Sequence, residues 1–142
     1  HGRAKHFSQP FRADGTAACH GRRPYPLGAS MPLVSPVTPE GTPEMSRPDP
    51  ARLIDGDPEQ RAWLTDEAPG LWCGVWQSPP RTWRVIYDEW EYFRLTEGIS
   101  ILTPEDGAPI RLVAGDAWVI RPGFTGTWQV VETTTKDFVI RL

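Results

Sequence analysis

Glu91 is the side chain best placed to do proton chemistry in this sequence. In the run Glu91-Tyr92-Phe93-Arg94-Leu95, alternation along a strand puts Glu91, Phe93 and Leu95 on one face. A carboxylate turned inward with Phe93 and Leu95 costs free energy unless it is paired. It also holds its proton more tightly than in water, which a general acid or base near neutral pH requires. The bland alternative is a structural pairing with Arg84 or Arg94, or a break in the alternation that leaves Glu91 in solvent. Asp88 and Glu89 make the same stretch acidic. Three carboxylates can draw a cation, but a solvated turn is the commoner meaning of such a cluster. Nucleophilic and metal chemistry have little to work with. The histidines are His1, His6 and His20, and Cys19 and Cys73 form no C-x-x-C pair. Cys73 has no histidine near it in sequence to activate it and reads as a small buried hydrophobe.

Strands must position these residues. Residues 71–77 are rich in aromatic and branched side chains and stop at Ser78-Pro79-Pro80. Residues 82–87 place Trp83, Val85 and Tyr87 on one face and Arg84 and Ile86 on the other. Residues 91–95 follow, and Gly98 breaks the run. Residues 99–102 and 110–113 flank a hairpin connection that ends in Asp106-Gly107. With 117–120, 127–131 and 138–142 the set comes to about eight short strands. Such spacing predicts an all-β sandwich or a closed jelly-roll barrel whose mouth can admit a ligand. Trp83, Trp118 and Trp128 can wall that pocket and suit a sugar, a purine-derived ring or another flat ligand. Taken singly, each is more commonly core.

Composition divides the chain. Nine of the 16 prolines lie in residues 1–50, and all seven tryptophans lie from Trp63 onward. A segment so poor in large apolar groups cannot offset its ordering entropy by burial. Residues 1–50 are therefore expected to be extended or disordered, unless they lie along the barrel surface. Residues 1–30 carry five cations against Asp14, a net of +4, which leaves −7 for the rest of a chain of net charge −3. A basic leader of this kind can be a transit peptide. Added or upstream-translated sequence before a natural start at Met31, or at Met45, is the stronger reading. Within 51–69, Asp57 as cap, Pro58 in a first turn and Glu59 at the positive dipole end predict one short helix, with Ala62, Trp63 and Leu64 as its apolar face. Trp63 is expected to pack on the outside of the barrel, which occupies 70–142. No basic field points to nucleic acid, and no apolar run approaches the roughly 18 residues that span a membrane.

Two motifs carry a family resemblance. Glu91 followed by six residues and Gly98 resembles the first cupin motif, and residues 115–128 resemble the second. Gly115-Asp116, Pro122-Gly123-Phe124, Gly126-Thr127-Trp128, Val130, Glu132 and Lys136 are similar to small cupins related to EutQ and to (S)-ureidoglycine aminohydrolase. The resemblance covers about residues 70–142 and implies an RmlC-like double-stranded β-helix. It puts Glu91 at the motif carboxylate and Tyr87 at a position that is a ligand in metal cupins, where a phenol can hydrogen-bond substrate or Glu91. Lys136 and Glu132 match the closing strands, where a structural ion pair at the barrel edge is expected of both. The sequence departs from the pattern at the metal histidines. Their places before Glu91 hold Val85 and Tyr87, or Arg84 and Ile86, and the place after Gly123 holds Gly126. Neither set binds a transition metal as imidazoles do.

The leading expectation is a metal-free, cofactor-free cupin that binds a small polar metabolite. Glu91 and Tyr87 would do proton transfer or isomerisation, and Trp83, Phe93, Arg94, Trp118 and Trp128 would contact the ligand. A metalloenzyme with unusual ligands, hydrolysing a ureido compound as the aminohydrolase relatives do, is the second reading. A non-enzymatic sensing or scaffolding module is the third. The cysteine usage suggests a reducing, cytoplasmic setting, and the resemblance implies a homodimer.

Overall fold

A computed structural model of the chain describes residues 32–57 and 59–142. The readings of residues 1–30 as a leader and of Pro58 as a helix start lie outside the described residues. Among those described there are nine strands and no helix: β1 (Glu44–Ser46), β2 (Leu53–Gly56), β3 (Gln60–Ala68), β4 (Leu71–Ser78), β5 (Arg81–Ile86), β6 (Trp90–Pro104), β7 (Ile110–Val113), β8 (Ala117–Ile120) and β9 (Thr125–Arg141).

Two long strands organise the sheet. Residues 90–97 of β6 pair with 135–141 of β9, and 99–104 of β6 pair with 126–132 of β9. The first halves of this pair carry β8 on one side and β4, β3 and β1 on the other. The second halves carry β7, β5 and β2. The sheet thus folds across β6 and β9 into two facing layers. Their inner faces meet where Trp76 of β4 packs 5.9 Å from Trp83 of β5, and Phe93 of β6 packs 5.3 Å from Trp128 of β9. This is the jelly-roll arrangement that the strand spacing predicts.

The corner is made by Gly98. Register shifts cluster at residues 95–100 of β6, and Gly98 holds φ of +91°. Strands read as two separate elements on either side of Gly98 are one bulged strand, because the bulge bends the ladder without ending it. A Cβ at Gly98 would collide with the Thr133 carbonyl oxygen of β9. Gly98→Ala is therefore expected to lower stability by at least the ~1–2 kcal/mol of a left-handed backbone, read by urea denaturation. A midpoint equal to the wild type would show that the corner tolerates a side chain.

The expected helix is replaced by β3. Asp57 does act like a cap, since its carboxylate accepts a hydrogen bond from Glu59 N–H at 2.9 Å. The chain then extends, because Gln60 and Ala62 are buried on alternate positions and Leu64 packs on the core. Residues 61–68, with a register shift between Leu64 and Asp66, find ladder partners in β4, across the Pro69-Gly70 turn. Long-range pairing overrides the local capping signal. The first described strand, β1, pairs with β3, so the sheet starts well before residue 70. Trp63 is half-buried, on the opposite side of β3 from Ala62, and its indole donates to the Gly41 carbonyl at 3.1 Å, tying the Pro-rich segment to the sheet. No described helix is long and apolar enough to cross a membrane.

Candidate functional site

Alternation along β5, β6 and β9 brings Arg81, Tyr87, Glu91 and Lys136 into the interior. Arg81, Trp83 and Val85 on β5 and Tyr87 just beyond it are buried, while Arg84 and Ile86 face out. Glu91, Phe93 and Leu95 on β6 are fully buried. On β9 the buried series Trp128, Val130, Lys136, Phe138 and Ile140 keeps one parity, and Lys136 faces Trp76 of β4 and Leu95 of β6 across the ladder.

Tyr87, Glu91 and Lys136 form one cluster. The Tyr87 hydroxyl donates to Glu91 Oε1 at 2.9 Å. The Lys136 amine donates to Glu91 Oε1 and Oε2, both at 3.2 Å. Its nitrogen lies 4.5 Å from the Trp128 ring centroid, 4.8 Å from Trp76 and 5.0 Å from Phe93. Three aromatic faces and one carboxylate thus enclose the ammonium, each attracting it electrostatically. Burial pushes the Lys136 amine below its ordinary value, and Glu91 acts against that shift. Tyr87 is held at the backbone: its N–H donates to the Phe124 carbonyl at 2.9 Å, and Gly123 N–H donates to the Tyr87 carbonyl at 2.7 Å.

A second buried group lies beside the first. The Arg81 guanidinium stacks 3.7 Å above the Trp83 ring and donates to Gln60 Oε1. Trp76 Nε1 donates to the same oxygen at 3.2 Å. Burial pushes Arg81 down to about 9, with Asp57 opposing, so the guanidinium keeps its charge at neutral pH. The indole N–H groups of Trp83 and Trp128 are buried donors with no hydrogen-bond partner among the described residues.

Of the residues named from sequence, Glu91, Tyr87, Trp83, Phe93 and Trp128 come together here. Arg94 does not. It is exposed on the outer face of β6 opposite Asp137, whose carboxyl burial pushes up and Arg94 pulls back. Trp118 is registered with Phe93 and so stands on the inner side of its strand, but it is 44% exposed and lines a cleft rather than the aromatic enclosure. Two expectations are corrected. Lys136 is not at an edge with Glu132: Glu132 is exposed at the corner, whereas Lys136 is buried against Glu91. The acidic run is not a wholly solvated turn: Asp88 is exposed, but Glu89 is fully buried and accepts a hydrogen bond from Asp88 N–H at 3.1 Å. Sequence reasoning also missed Gln60 and Arg81, although Arg81 shares the parity of Trp83 and Val85. Cys73 is half-buried, and burial, followed by Asp66 and Asp137, pushes its thiol up, the wrong direction for a nucleophile.

The residues present do not fit the metal that many cupins hold. The inward pair at the histidine positions is Val85 and Tyr87. Gly126 sits opposite Val85, and a Cβ there would collide with the Thr103 carbonyl oxygen. Both Glu91 oxygens are engaged by an ammonium, which repels a second cation. Among the described residues no three His, Cys, Asp or Glu side chains cluster as metal ligands do.

Comparison with known proteins agrees with the fold. No curated protein matches the sequence. A crystal structure of a Pseudomonas syringae pv. tomato protein of unknown function, from the DUF861 family, is 27% identical with a TM-score of 0.64. The match covers 70% of this chain and 43% of that one, so the chain spans less than half of the relative's length. The Clostridium difficile EutQ protein is 16% identical with a TM-score of 0.52, over 58% of this chain and 61% of its own. The cupin domain of Schizosaccharomyces pombe Cnp3 is 11% identical with a TM-score of 0.51, over 58% of this chain and 60% of its own. These two share the fold alone. Residues 68–138, half of the chain, match the EutQ-like cupin domain, and the chain belongs to the EutQ-like cupin family.

Proposed function

We propose that this chain is a small-molecule-binding cupin in which Lys136, Glu91 and Tyr87 replace a metal centre and move a proton on a polar ligand. The observation that carries the reading is the Lys136–Glu91–Tyr87 cluster itself, buried in an aromatic enclosure with all hydrogen bonds near 3 Å. A general acid–base site needs a proton acceptor, a donor and a charge that steadies the developing anion. Glu91 supplies the acceptor, Tyr87 the donor and Lys136 the positive charge. The partnerless indole donors of Trp83 and Trp128 favour a ligand with oxygen acceptors, because a buried donor without a partner costs about 1–3 kcal/mol.

The test is a ligand screen by saturation-transfer NMR with small sugars, amino acids and hydroxy- and keto-acids, on the wild type and on Glu91→Gln. The expected result is at least one oxygen-rich ligand that binds the wild type and is lost or weakened about tenfold in Glu91→Gln, the effect of one charged hydrogen bond. Identical profiles for the two proteins would remove Glu91 from any binding role.

A further inference from the structure

A second feature adjoins the buried cluster on the side of Tyr87. A cleft of about 340 Å³ opens between β7, β8 and the turn that follows β8. Its floor is core: Leu102 and Ile120 are buried, and Ile110 and Phe124 pack against the same hydrophobic cluster. Trp118 forms a wall. Its register opposite Phe93 puts it on the inner side of β8, yet it is 44% exposed, so the surface it offers is the cleft. Arg121 is the single charged residue of the lining and forms no ion pair with another described residue. Phe124 meets the Tyr87 ring edge-on at 5.9 Å, and Tyr87 donates to Glu91. The Phe124 ring, the Tyr87 ring and the Tyr87 hydroxyl thus lie in turn between the cleft and the buried carboxylate.

We infer that this cleft is a second seat for a small molecule, outside the buried centre, and that it takes a flat or apolar body carrying a carboxylate, with Trp118 against the body and Arg121 on the carboxylate. An open indole face beside aliphatic walls recognises a planar apolar group. An unpaired guanidinium at the rim of an otherwise apolar lining recognises a planar anion by two parallel hydrogen bonds. The volume suits one small molecule and not a protein segment. The inference rests on the reading above that the barrel takes a small molecule, and it makes Arg121, Trp118 and Phe124 the specificity-determining residues.

The probe is benzoate, with benzamide as its neutral counterpart, titrated into the full chain while the indole N–H signals are followed by NMR. Trp118→Phe identifies the Trp118 signal. Benzoate is expected to shift that signal and to bind more tightly than benzamide. Arg121→Gln, at an exposed position that the fold does not need, is expected to weaken benzoate about tenfold and leave benzamide unchanged. Equal benzoate affinity in the wild type and Arg121→Gln overturns the carboxylate seat. A still Trp118 signal overturns the cleft, even when another ligand binds in a Glu91-dependent way and the proposed function stands. Arg121-dependent benzoate binding, with no ligand sensitive to Glu91→Gln, upholds the cleft and rejects the proton-transfer centre. A dimer that Trp118→Ala converts to a monomer, without benzoate binding, makes the cleft a subunit interface and overturns the inference.

Discussion

Lys136→Met is expected to destabilise the protein by about 3–5 kcal/mol, the cost of leaving one charge of a buried pair without its partner. The side chains are close in length, so packing changes little and the loss reports the stranded Glu91 carboxylate, which is fully buried. Adding Glu91→Gln to Lys136→Met removes the stranded charge and is expected to restore most of the loss. Urea denaturation of the two single variants and the double variant gives the coupling directly. Additive losses would show that the pair contributes nothing as a pair. The pH dependence has a definite sign. Burial holds the folded Lys136 amine below its ordinary 10.5. Between that lowered value and 10.5 the unfolded chain carries more protons than the folded one, so this group's contribution to stability rises with pH through that window. Below the window Lys136 is charged in both states and the full burial penalty is present. Arg81, pushed to about 9, adds a rise of the same sign above that pH. The Lys136 share is therefore the difference between wild-type and Lys136→Met profiles, expected to widen as pH climbs toward 10.5.

Trp128→Ala is expected to cost a further about 3–5 kcal/mol in its own right. Trp128 is buried among Trp76 at 5.9 Å, Trp83 at 6.1 Å and Phe93 at 5.3 Å, so truncation opens a cavity between the two layers. It also removes the ring nearest the Lys136 nitrogen, at 4.5 Å. In the Lys136→Met background the same truncation should cost less, by the cation–π share of about 2 kcal/mol. A loss below about 1 kcal/mol in the wild type would match a surface site and contradict the packed enclosure.

Much of this centre was legible in the alternation of side chains. Trp83, Val85 and Tyr87, and then Glu91, Phe93 and Leu95, read as sharing one face from period two alone, and the structure shows that face buried. The same rule, carried along β9, would have found Lys136, which keeps step with Trp128, Phe138 and Ile140. Chemical type obscured it, since a lysine among threonines and next to an aspartate reads as surface. What local patterns did not carry was long-range pairing. Asp57 and Glu59 resemble a helix start, and the ladders with β4 and β1 make residues 60–68 a strand. Strands β1 and β2 are only three and four residues long, and they exist because β3 and β5 offer edges to pair with. Gly98 reads as a stop in one dimension and is a corner in three. The cleft residue Arg121 had no pattern to mark it, because its meaning depends on Trp118 and Phe124 converging from separate elements.

The central claim is that an ammonium, and not a metal ion, partners Glu91. It is tested most directly by incubating the purified protein and its Glu91→Gln variant with manganese, iron, nickel and zinc salts in turn, desalting, and measuring bound metal by elemental analysis. The predicted result is no metal at one equivalent per chain that differs between the two proteins. One equivalent of any of these metals on the wild type, absent from Glu91→Gln, would contradict it.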